Sequence, residues 1–310
     1  MPSFLYLLAG FVLLFFSGDW LVKSSVQFAR HFKVSTLVIG VTVVAFGTSA
    51  PELLVSLKAV FDGAADISIG NVVGSNIANI ALVLGMVSIV YPVKVKKKGV
   101  WFDWLIMMIA TVGLMLVSQN LKISTLEGIG FLLLLGVYII WSVYNSRRQS
   151  KSQDKIEAPT LALWKTICLF VLAAAGLYFG ARWLVVGAID IARSMQVSER
   201  VIGISVVAIG TSVPELATSL MAAIKKESDI SIGNIIGSNV FNIWAVLGVT
   251  ATIKPIDVNA TMINIDYWWM FAVAVILFIA ILPLSKGIVN RWKGALFLII
   301  YLLYIYLLFV

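Results

Sequence analysis

The sequence predicts an all-α polytopic membrane protein of ten transmembrane helices, arranged as two inverted-topology repeats of five helices each. Three observations lead to this fold class. Of the 310 residues, 61% are hydrophobic and only 12% are charged, whereas soluble domains contain about 25% charged residues. Apolar runs long enough to cross a bilayer recur along the whole chain. In addition, a long segment of the first half recurs with few changes in the second half.

Ten apolar segments are long enough to span a bilayer as helices, the form in which a single segment satisfies its own backbone groups in lipid. The first and sixth segments carry charged residues near one end, which favours long and tilted helices. The ten predicted spans are residues 3–28, 38–61, 67–91, 100–118, 124–144, 161–192, 201–224, 230–253, 266–284 and 291–309.

The repeat is the strongest signal in the sequence. Residues 38–85 align without a gap on residues 201–248, at an offset of 163 positions, and 29 of the 48 aligned positions are identical. Each half holds five spans, an odd number, so the second half enters the membrane from the opposite side. Such a repeat places corresponding segments together near the membrane midplane. We therefore predict an N-terminal repeat (1–144), a cytoplasmic linker (145–160) and a C-terminal repeat (161–310).

The basic residues predict the orientation in the membrane. With both termini outside, the inner loops hold 16 Lys and Arg residues and the outer loops hold five, which agrees with the excess of positive charge found in cytoplasmic loops. We therefore interpret the net charge of +8 as a topology signal in a cell-membrane protein, and we expect no nucleic-acid partner. The one cysteine, Cys168, excludes an internal disulfide and a multi-thiolate metal site. The oligomeric state stays open, and a monomer is compatible with the sequence.

The second span contains a proline and an acid in its middle, within the sequence AFGTSAPELLVS. Pro51 removes a backbone donor and disfavours helical geometry at the preceding residue. Helix two is therefore predicted to be broken, with freed carbonyl groups around residues 45–48. Glu52 then lies in the first turn of the second half-helix, where the helix dipole favours an anion. The seventh span repeats the pattern as AIGTSVPELATS, with Glu215, and is predicted to be broken in the same way.

The third and eighth spans add uncharged oxygen ligands. Ser75 and Asn79 are four residues apart and share one helix face, whereas Asn76 falls on another face and is a weaker candidate. The glycine pairs in GNVVG and GNIIG commonly serve helix packing alone. The polar candidates are Thr48, Ser49, Glu52, Ser75, Asn76 and Asn79 in the first half and Thr211, Ser212, Glu215, Ser238, Asn239 and Asn242 in the second.

Collected at one site, these side chains supply two carboxylates with hydroxyl, amide and backbone oxygens. Hard oxygen ligands favour Na⁺, Ca²⁺ or Mg²⁺ over zinc and copper, and Ca²⁺ accepts six to eight oxygens in flexible geometry. A carboxylate at the bilayer centre costs on the order of 3 kcal/mol, and the repeated polar segments offer no Lys or Arg to Glu52 or Glu215. The natural counter-charge is a bound cation, either one divalent ion or several monovalent ions. Mutually exclusive occupancy of one site is what an antiporter requires.

Three other acids, Asp19, Asp103 and Asp190, are interpreted as residues without a counterpart in the other half. We interpret these acids as interfacial or structural residues.

The motifs GTSAPE with GNVVGSNIAN, and GTSVPE with GNIIGSNVFN, resemble the repeat signature of the cation/calcium exchanger superfamily, and more narrowly that of prokaryotic-type sodium/calcium exchangers. The resemblance implies an antiporter without enzyme activity or cofactor, which exchanges three Na⁺ for one Ca²⁺ by alternating access, with spans one and six sliding across the other eight. It implies a calcium site of Glu52, Glu215, Thr48 and Thr211. It also implies sodium sites formed by Ala45, Thr48, Ser49, Glu52, Ser75, Asn79, Ala208, Thr211, Ser212, Glu215, Ser238 and Asn242.

Three other functions compete with this hypothesis. Proton-driven calcium exchangers usually carry an acid, and often a histidine, after the GN of the third span, where this chain has GNVVGSN. A passive cation channel would also use a ring of oxygens, but two inverted halves with broken helices argue against it. An enzyme acting on lipid phosphates would need clustered Arg or His, which the repeats lack. Potassium-dependent exchangers typically have Asp at the position of Asn242, so potassium dependence is disfavoured.

Overall fold

The structure is a computed structural model that describes residues 2–95, 97–150, 157–196, 208–281 and 287–308. Within these ranges, seven helices are long and apolar enough to cross a membrane. A bent pair of helices, Thr36–Thr48 and Ala50–Phe61, makes an eighth span if the two are counted together. The chain is therefore an all-helical, multi-pass membrane protein.

The first half begins with a helix of 31 residues, longer than its predicted span. Its elements are α1 (Pro2–Phe32), α2 (Thr36–Ile39), the π-helical turn π1 (Gly40–Val44), α3 (Ala45–Thr48), α4 (Ala50–Phe61), α5 (Ala65–Ala78), the π-helical turn π2 (Asn79–Leu84), α6 (Gly85–Val90), β1 (Val93–Lys94), α7 (Lys97–Val117), a 3-10 turn (Ser118–Asn120), β2 (Lys122–Ile123) and α8 (Thr125–Ser150).

The described elements of the second half follow the same order. They are α9 (Leu163–Ser194), α10 (Ala208–Thr211), α11 (Val213–Ile224), α12 (Ser228–Phe241), the π-helical turn π3 (Asn242–Leu247), α13 (Gly248–Ile253), β3 (Ile256–Asp257), the π-helical turn π4 (Met262–Asp266), α14 (Tyr267–Ile281), β4 (Ile288–Val289) and α15 (Arg291–Leu307). The offset of the sequence repeat also separates the starting positions of equivalent elements. The elements α11, α12, π3, α13 and β3 each begin 163 positions after α4, α5, π2, α6 and β1, respectively.

Eight of the ten predicted spans correspond to the seven long helices and the bent pair. The seventh span includes residues 201–207, which lie outside the described part, and its described helix α11 has 12 residues. The tenth span is α15, with 17 residues. The count of ten and the inverted orientation stay predictions, as does the division into domains. Helix α8 continues to Ser150, so the first residues of the predicted linker are helical, and residues 151–156 lie outside the described ranges.

Helices α1 and α9 pack against each other in antiparallel directions through close backbone contacts. A Cβ atom built on Gly10 would lie 2.6 Å from the Leu184 amide nitrogen, and one built on Gly187 would lie 2.6 Å from the Ser3 carbonyl oxygen. Only glycine allows this approach, which extends over most of the length of both helices. The two helices therefore form one packed unit, the α1–α9 pair.

The glycine pairs of the two GxxxG motifs have different surroundings. In α12, a Cβ on Gly237 would lie 2.5 Å from Val41 Cα, and one on Gly233 would lie 3.1 Å from Gly40 Cα. The second motif thus packs tightly against π1. In α5, a Cβ on Gly74 would meet no atom within 4 Å. The predicted packing role therefore holds for GNIIG. In GNVVG, a Cβ on Gly70 would lie 3.1 Å from the Met262 methyl carbon, and Gly74 faces open space within the described structure.

Two short antiparallel strand pairs join the halves. Strand β1 pairs with β4, with Val93 opposite Val289, and β2 pairs with β3, with Ile123 opposite Ile256. Helix α7 connects β1 to β2, and its 21 residues extend about 31 Å at 1.5 Å per residue. The two strand pairs therefore lie at opposite ends of the helical bundle, and each contains one strand from either half.

Candidate ion-binding site

The predicted break in the second span lies at Ser49, between α3 and α4. The two parts of the span are bent by 44°, and Ser49 has φ −86° and ψ 3°. In the second half, Ser212 has φ −87° and ψ 2° between α10 and α11, so the same local conformation recurs. Proline in the first turn explains the break, because Pro51 has no N–H to donate to the carbonyl group one turn earlier.

The break frees fewer carbonyl groups than the sequence predicts. The Ser49 N–H donates a hydrogen bond to the Ala45 carbonyl oxygen at 2.9 Å, so this carbonyl is not freed by the break. A carbonyl oxygen has a second lone pair, and the Ala45 oxygen keeps the capacity to contact a cation.

The two glutamates begin the second half-helices and are fully buried. Glu52 and Glu215 each have 0% exposure, and none of their four carboxylate oxygens has a hydrogen-bond partner in the described structure. The Glu215 carboxylate faces the hydroxyl groups of Thr48 and Ser49, without a hydrogen bond of standard geometry to either. The two carboxylates are also close enough to interact electrostatically. A buried carboxylate without a partner is costly, and two that face each other cost more.

Thr48 links the broken helix of the first half to α12 of the second. Its hydroxyl oxygen lies 3.0 Å from Asn234 Oδ1, 3.2 Å from Ser238 Oγ and 3.3 Å from the Ala45 carbonyl oxygen. A hydroxyl group has one proton to donate, so these oxygens together form an oxygen-rich cluster. Residues predicted from separate repeats thus meet at one place.

Asn242 makes the second link between the halves. Its Nδ2 donates to Ser75 Oγ at 2.9 Å and to Asn76 Oδ1 at 3.1 Å, and its own Oδ1 has no partner within the described ranges. Asn76, which the sequence ranks below Ser75, therefore belongs to the same network. Asn79 is buried and neither atom of its amide has a partner among the described residues. Asn79 and Asn242 are the first residues of π2 and π3, and π-helical turns are frequent at functional sites.

The remaining predicted ligands of the second half are Ser212, Ala208 and Thr211. Ser212 is buried, and its hydroxyl has no hydrogen-bond partner among the described residues. Ala208 is the first residue of α10, and its side chain is outside what the structure describes. Thr211 is partly exposed and lines a cavity of about 590 Å³ that also reaches Ser75. Of the predicted second-half ligands, Glu215, Ser238 and Asn242 are therefore the ones described in contact with first-half site residues.

Two asparagines beside the site were missed in the sequence. Asn71 Nδ2 donates to Ser56 Oγ at 3.0 Å and to the Glu52 carbonyl oxygen at 3.2 Å. The equivalent Asn234 Nδ2 donates to Ser219 Oγ, also at 3.0 Å. The signal was present, because both the asparagine of the Gly-Asn pair and its serine partner are identical in the two repeats. The Asn71 bond fixes the backbone at Glu52, and both asparagines hold the serine one turn after each glutamate.

The donor set consists of hard oxygen ligands. Within the described residues, no group of three or more His, Cys, Asp or Glu side chains converges on one point. A cation at this site would therefore be held by two carboxylates together with neutral hydroxyl, amide and carbonyl oxygens. Such a set suits Na⁺ and Ca²⁺.

Comparisons with known proteins agree with this chemistry. The sodium/calcium exchanger protein family matches residues 2–144 and 165–310. The chain is 36% identical over 313 residues to the putative antiporter CaxA of Alkalimonas amylolytica, with 98% of both chains covered. It is 32% identical over 347 residues to the sodium/calcium exchanger MaX1 of Methanosarcina acetivorans, with 99% of this chain and 98% of that protein covered.

A solved structure also has a similar fold. It is the sodium-calcium exchanger NCX_Mj soaked with Na⁺ and Sr²⁺, with a TM-score of 0.83, 34% identity and 98% of both chains covered. Together, the family match, the relatives and this fold confirm the resemblance carried by the doubled motifs. The chain belongs to the sodium/calcium exchanger family and is of the prokaryotic type.

Proposed function

We propose that the chain is an antiporter that exchanges Na⁺ for Ca²⁺ across the cell membrane by alternating access. The observation that carries this proposal is the pair of fully buried carboxylates, Glu52 and Glu215, without a hydrogen-bonding partner in the described structure. One Ca²⁺ neutralises both charges, and Na⁺ ions bound at the same oxygens neutralise them as well. The two ions cannot occupy these oxygens together, so the exchange of one for the other follows from a single site.

The ligands that we propose are those that the sequence predicts. Glu52, Glu215 and the oxygens of Thr48 and Thr211 are the calcium ligands. Ser49, Ser212, Asn79 and Asn242 each keep a buried side-chain oxygen that has no partner in the described part of the chain, which supports their place in the sodium sites. The sodium ligands are Ala45, Thr48, Ser49, Glu52, Ser75, Asn79, Ala208, Thr211, Ser212, Glu215, Ser238 and Asn242.

The inverted orientation of the halves has its own support. Strands β1 and β3 are equivalent in the repeat, yet they belong to the two strand pairs at opposite ends of α7. Repeats of parallel topology would place equivalent strands at the same end, whereas inverted repeats place them at opposite ends. With the distribution of basic residues, this supports ten spans, both termini outside, and repeats 1–144 and 161–310 joined by a cytoplasmic linker 145–160.

The function is tested by radioactive Ca²⁺ uptake into proteoliposomes that are loaded with Na⁺ and diluted into sodium-free buffer. Uptake that requires internal Na⁺ is the expected result. Uptake driven by a pH gradient without Na⁺ would instead identify a proton-driven exchanger. Uptake that depends on neither counter-ion would identify a passive channel.

We expect the exchange to be electrogenic, with three Na⁺ moved per Ca²⁺. One net positive charge then crosses the membrane in each cycle, and this charge is worth about 2.3 kcal/mol per 100 mV. The equilibrium Ca²⁺ gradient is therefore expected to change about tenfold for every ~59 mV of membrane potential. The measurement is Ca²⁺ accumulation in vesicles clamped with potassium and valinomycin. A gradient that does not respond to potential would indicate two Na⁺ per Ca²⁺.

A further inference from the structure

An aspartate–tyrosine pair occurs in each half, outside the candidate ion-binding site. The Tyr138 hydroxyl donates a hydrogen bond to Asp103 Oδ1 at 2.9 Å, and the Tyr304 hydroxyl donates one to Asp266 Oδ1 at 3.0 Å. Asp266 follows Asp103 by 163 positions, the offset of the repeat. The interpretation of Asp103 as a residue without a counterpart is therefore wrong. The tyrosines are 166 positions apart, as are the first residues of α8 and α15.

The two pairs differ in their access to solvent. Asp266 is partly exposed and lines the cavity of about 590 Å³ that reaches Ser75 and Thr211. Asp103 is 5% exposed and Tyr138 is 3% exposed, so the equivalent region of the first half is closed.

Two other pairs of equivalent polar residues differ in exposure in the same way. Asn71 lines the cavity and is partly exposed, whereas its counterpart Asn234 is buried. Thr211 is partly exposed, whereas its counterpart Thr48 is fully buried. A cavity thus reaches the site beside Asn71, Thr211 and Asp266, whereas the equivalent residues Asn234, Thr48 and Asp103 are buried.

Asp266 is the one charged side chain among the described residues that line this cavity. The cavity walls are mostly apolar, and a charge between low-dielectric walls attracts counter-ions strongly. The bond from Tyr304 fixes the position of the carboxylate. The cavity therefore holds one cation-attracting carboxylate together with the oxygens of Ser75 and Thr211.

We propose that Asp266 is an entrance site for cations, at which Na⁺ or Ca²⁺ loses part of its hydration before it reaches the buried glutamates. Asp103 has the same role for the opposite face when the two halves exchange their conformations. This inference rests on the proposed function, and it adds a residue that determines the rate of cation capture from each side.

The test compares Asp266→Asn with Asp103→Asn in membrane vesicles of known orientation. Asparagine keeps an oxygen for the tyrosine hydroxyl, so both variants are expected to fold. Asp266→Asn is expected to raise the Ca²⁺ KM about tenfold on the face where the cavity opens, with the maximal rate retained. Asp103→Asn is expected to raise the Ca²⁺ KM on the other face. Asp266→Glu is expected to restore the KM.

Ionic strength separates this role from a structural one. Electrostatic capture weakens in salt, so the wild-type KM is expected to rise with added choline chloride, whereas that of Asp266→Asn stays constant. An unchanged KM in Asp266→Asn, or a KM that depends on salt as in the wild type, would overturn the entrance site. Absence of Na⁺-driven uptake in the wild type would instead overturn the proposed function.

A second inference comes from an ion pair between the α1–α9 pair and α11. Asp19 in α1 forms an ion pair with Lys225, which follows the end of α11, and a second one with Lys23 at 2.7 Å. At the offset of the repeat, Asp19 corresponds to Arg182 in α9 and Lys225 corresponds to Asp62 at the end of α4. The equivalent pair therefore has its charges exchanged.

The equivalent pair is not formed in this conformation. Arg182 and Asp62 are both exposed, and no ion pair joins them in the described structure. Both repeats thus carry the charged residues for this ion pair, but within the described structure the pair is formed by Asp19 and Lys225 and not by Arg182 and Asp62. We infer that Asp19–Lys225 and Arg182–Asp62 are alternative latches, each of which holds the α1–α9 pair in one of two positions.

Cysteine cross-linking tests the latches in a Cys168→Ser background, which removes the one native cysteine. Asp19→Cys with Lys225→Cys, and Asp62→Cys with Arg182→Cys, are each expected to cross-link with a short bifunctional thiol reagent during turnover. Either link is expected to stop transport until it is reduced. Asp19→Cys with Asp62→Cys is the control pair and is expected not to cross-link.

The latches also predict the direction of a population shift. Asp19→Asn weakens the first latch and is expected to raise the yield of the Asp62–Arg182 cross-link several-fold. A pair at Asp62 and Arg182 that never cross-links during turnover would overturn the inference, as would a yield that Asp19→Asn leaves unchanged.

Discussion

Glu52→Gln is expected to abolish Na⁺-dependent Ca²⁺ uptake, with at least a ~100-fold loss of initial rate. Loss of one partner from a buried charge pair costs about 3–5 kcal/mol, and the bound cation is the partner here. Glutamine has the shape of glutamate, and the carboxylate it replaces makes no hydrogen bond within the described structure. The variant is therefore expected to fold and insert normally. Glu215→Gln is expected to behave in the same way.

Thermal unfolding separates this loss from misfolding. Without ions, Glu52→Gln is expected to melt at or above the wild-type temperature, because the wild type buries two carboxylates that face each other. Ca²⁺ at 100 times its dissociation constant would stabilise the wild type by about 2.7 kcal/mol, and the variant is expected to lack this gain. Asp66→Asn, a change in an exposed acid of α5, is the matched control. Normal uptake or normal Ca²⁺ stabilisation in Glu52→Gln would refute the assignment.

Gly237→Ala is expected to destabilise the protein, whereas Gly74→Ala at the equivalent repeat position is not. A methyl group on Gly237 would lie 2.5 Å from Val41 Cα and 2.7 Å from the Val41 carbonyl oxygen. Both contacts are with backbone, which cannot rotate away as a side chain can. Overpacking of this kind costs about 1–3 kcal/mol. The measurement is the melting temperature of the purified protein in detergent, together with its yield from membranes.

The transport rate of Gly74→Ala is a second test of this packing difference. If the halves exchange their conformations, Gly74 takes the crowded position during each cycle, so Gly74→Ala is expected to fold normally and to transport slowly. Equal melting temperatures for Gly237→Ala and Gly74→Ala would contradict the different packing of the two glycine motifs.

Most of the helices and the chemistry of the site were predictable from the sequence, because both depend on local patterns. Apolar length identifies a membrane span, and Pro51 predicts the break that the structure places at Ser49. The buried acids stand out because the repeated polar segments around them contain no Lys or Arg. The roles of the site residues stay predictions, but some of the side chains that the sequence indicates do meet, as Thr48 does with Ser238 and Ser75 with Asn242.

The difference between the halves was not predictable. GNVVG and GNIIG are nearly identical, yet Gly74 faces open space and Gly237 is packed against backbone. One conformation of the whole bundle decides this, and a local pattern carries no information about it. The π-helical turns at Asn79 and Asn242 were missed for a similar reason, since one extra residue per turn leaves no compositional signal. The equivalence of Asp103 and Asp266 is hidden for another reason, because they lie outside residues 38–85 and 201–248, in spans whose sequences have diverged between the halves.

The two strand pairs have a consequence for the origin of the chain. In the described ranges, neither half pairs its own strands, since β1 pairs with β4 and β2 pairs with β3. A single half would leave the backbone groups of both of its strands unpaired. An ancestral chain of five helices could therefore complete its structure only with a second copy inserted in the opposite direction. Fusion of two such genes would have fixed this opposed pairing within one polypeptide, after which each copy was free to diverge.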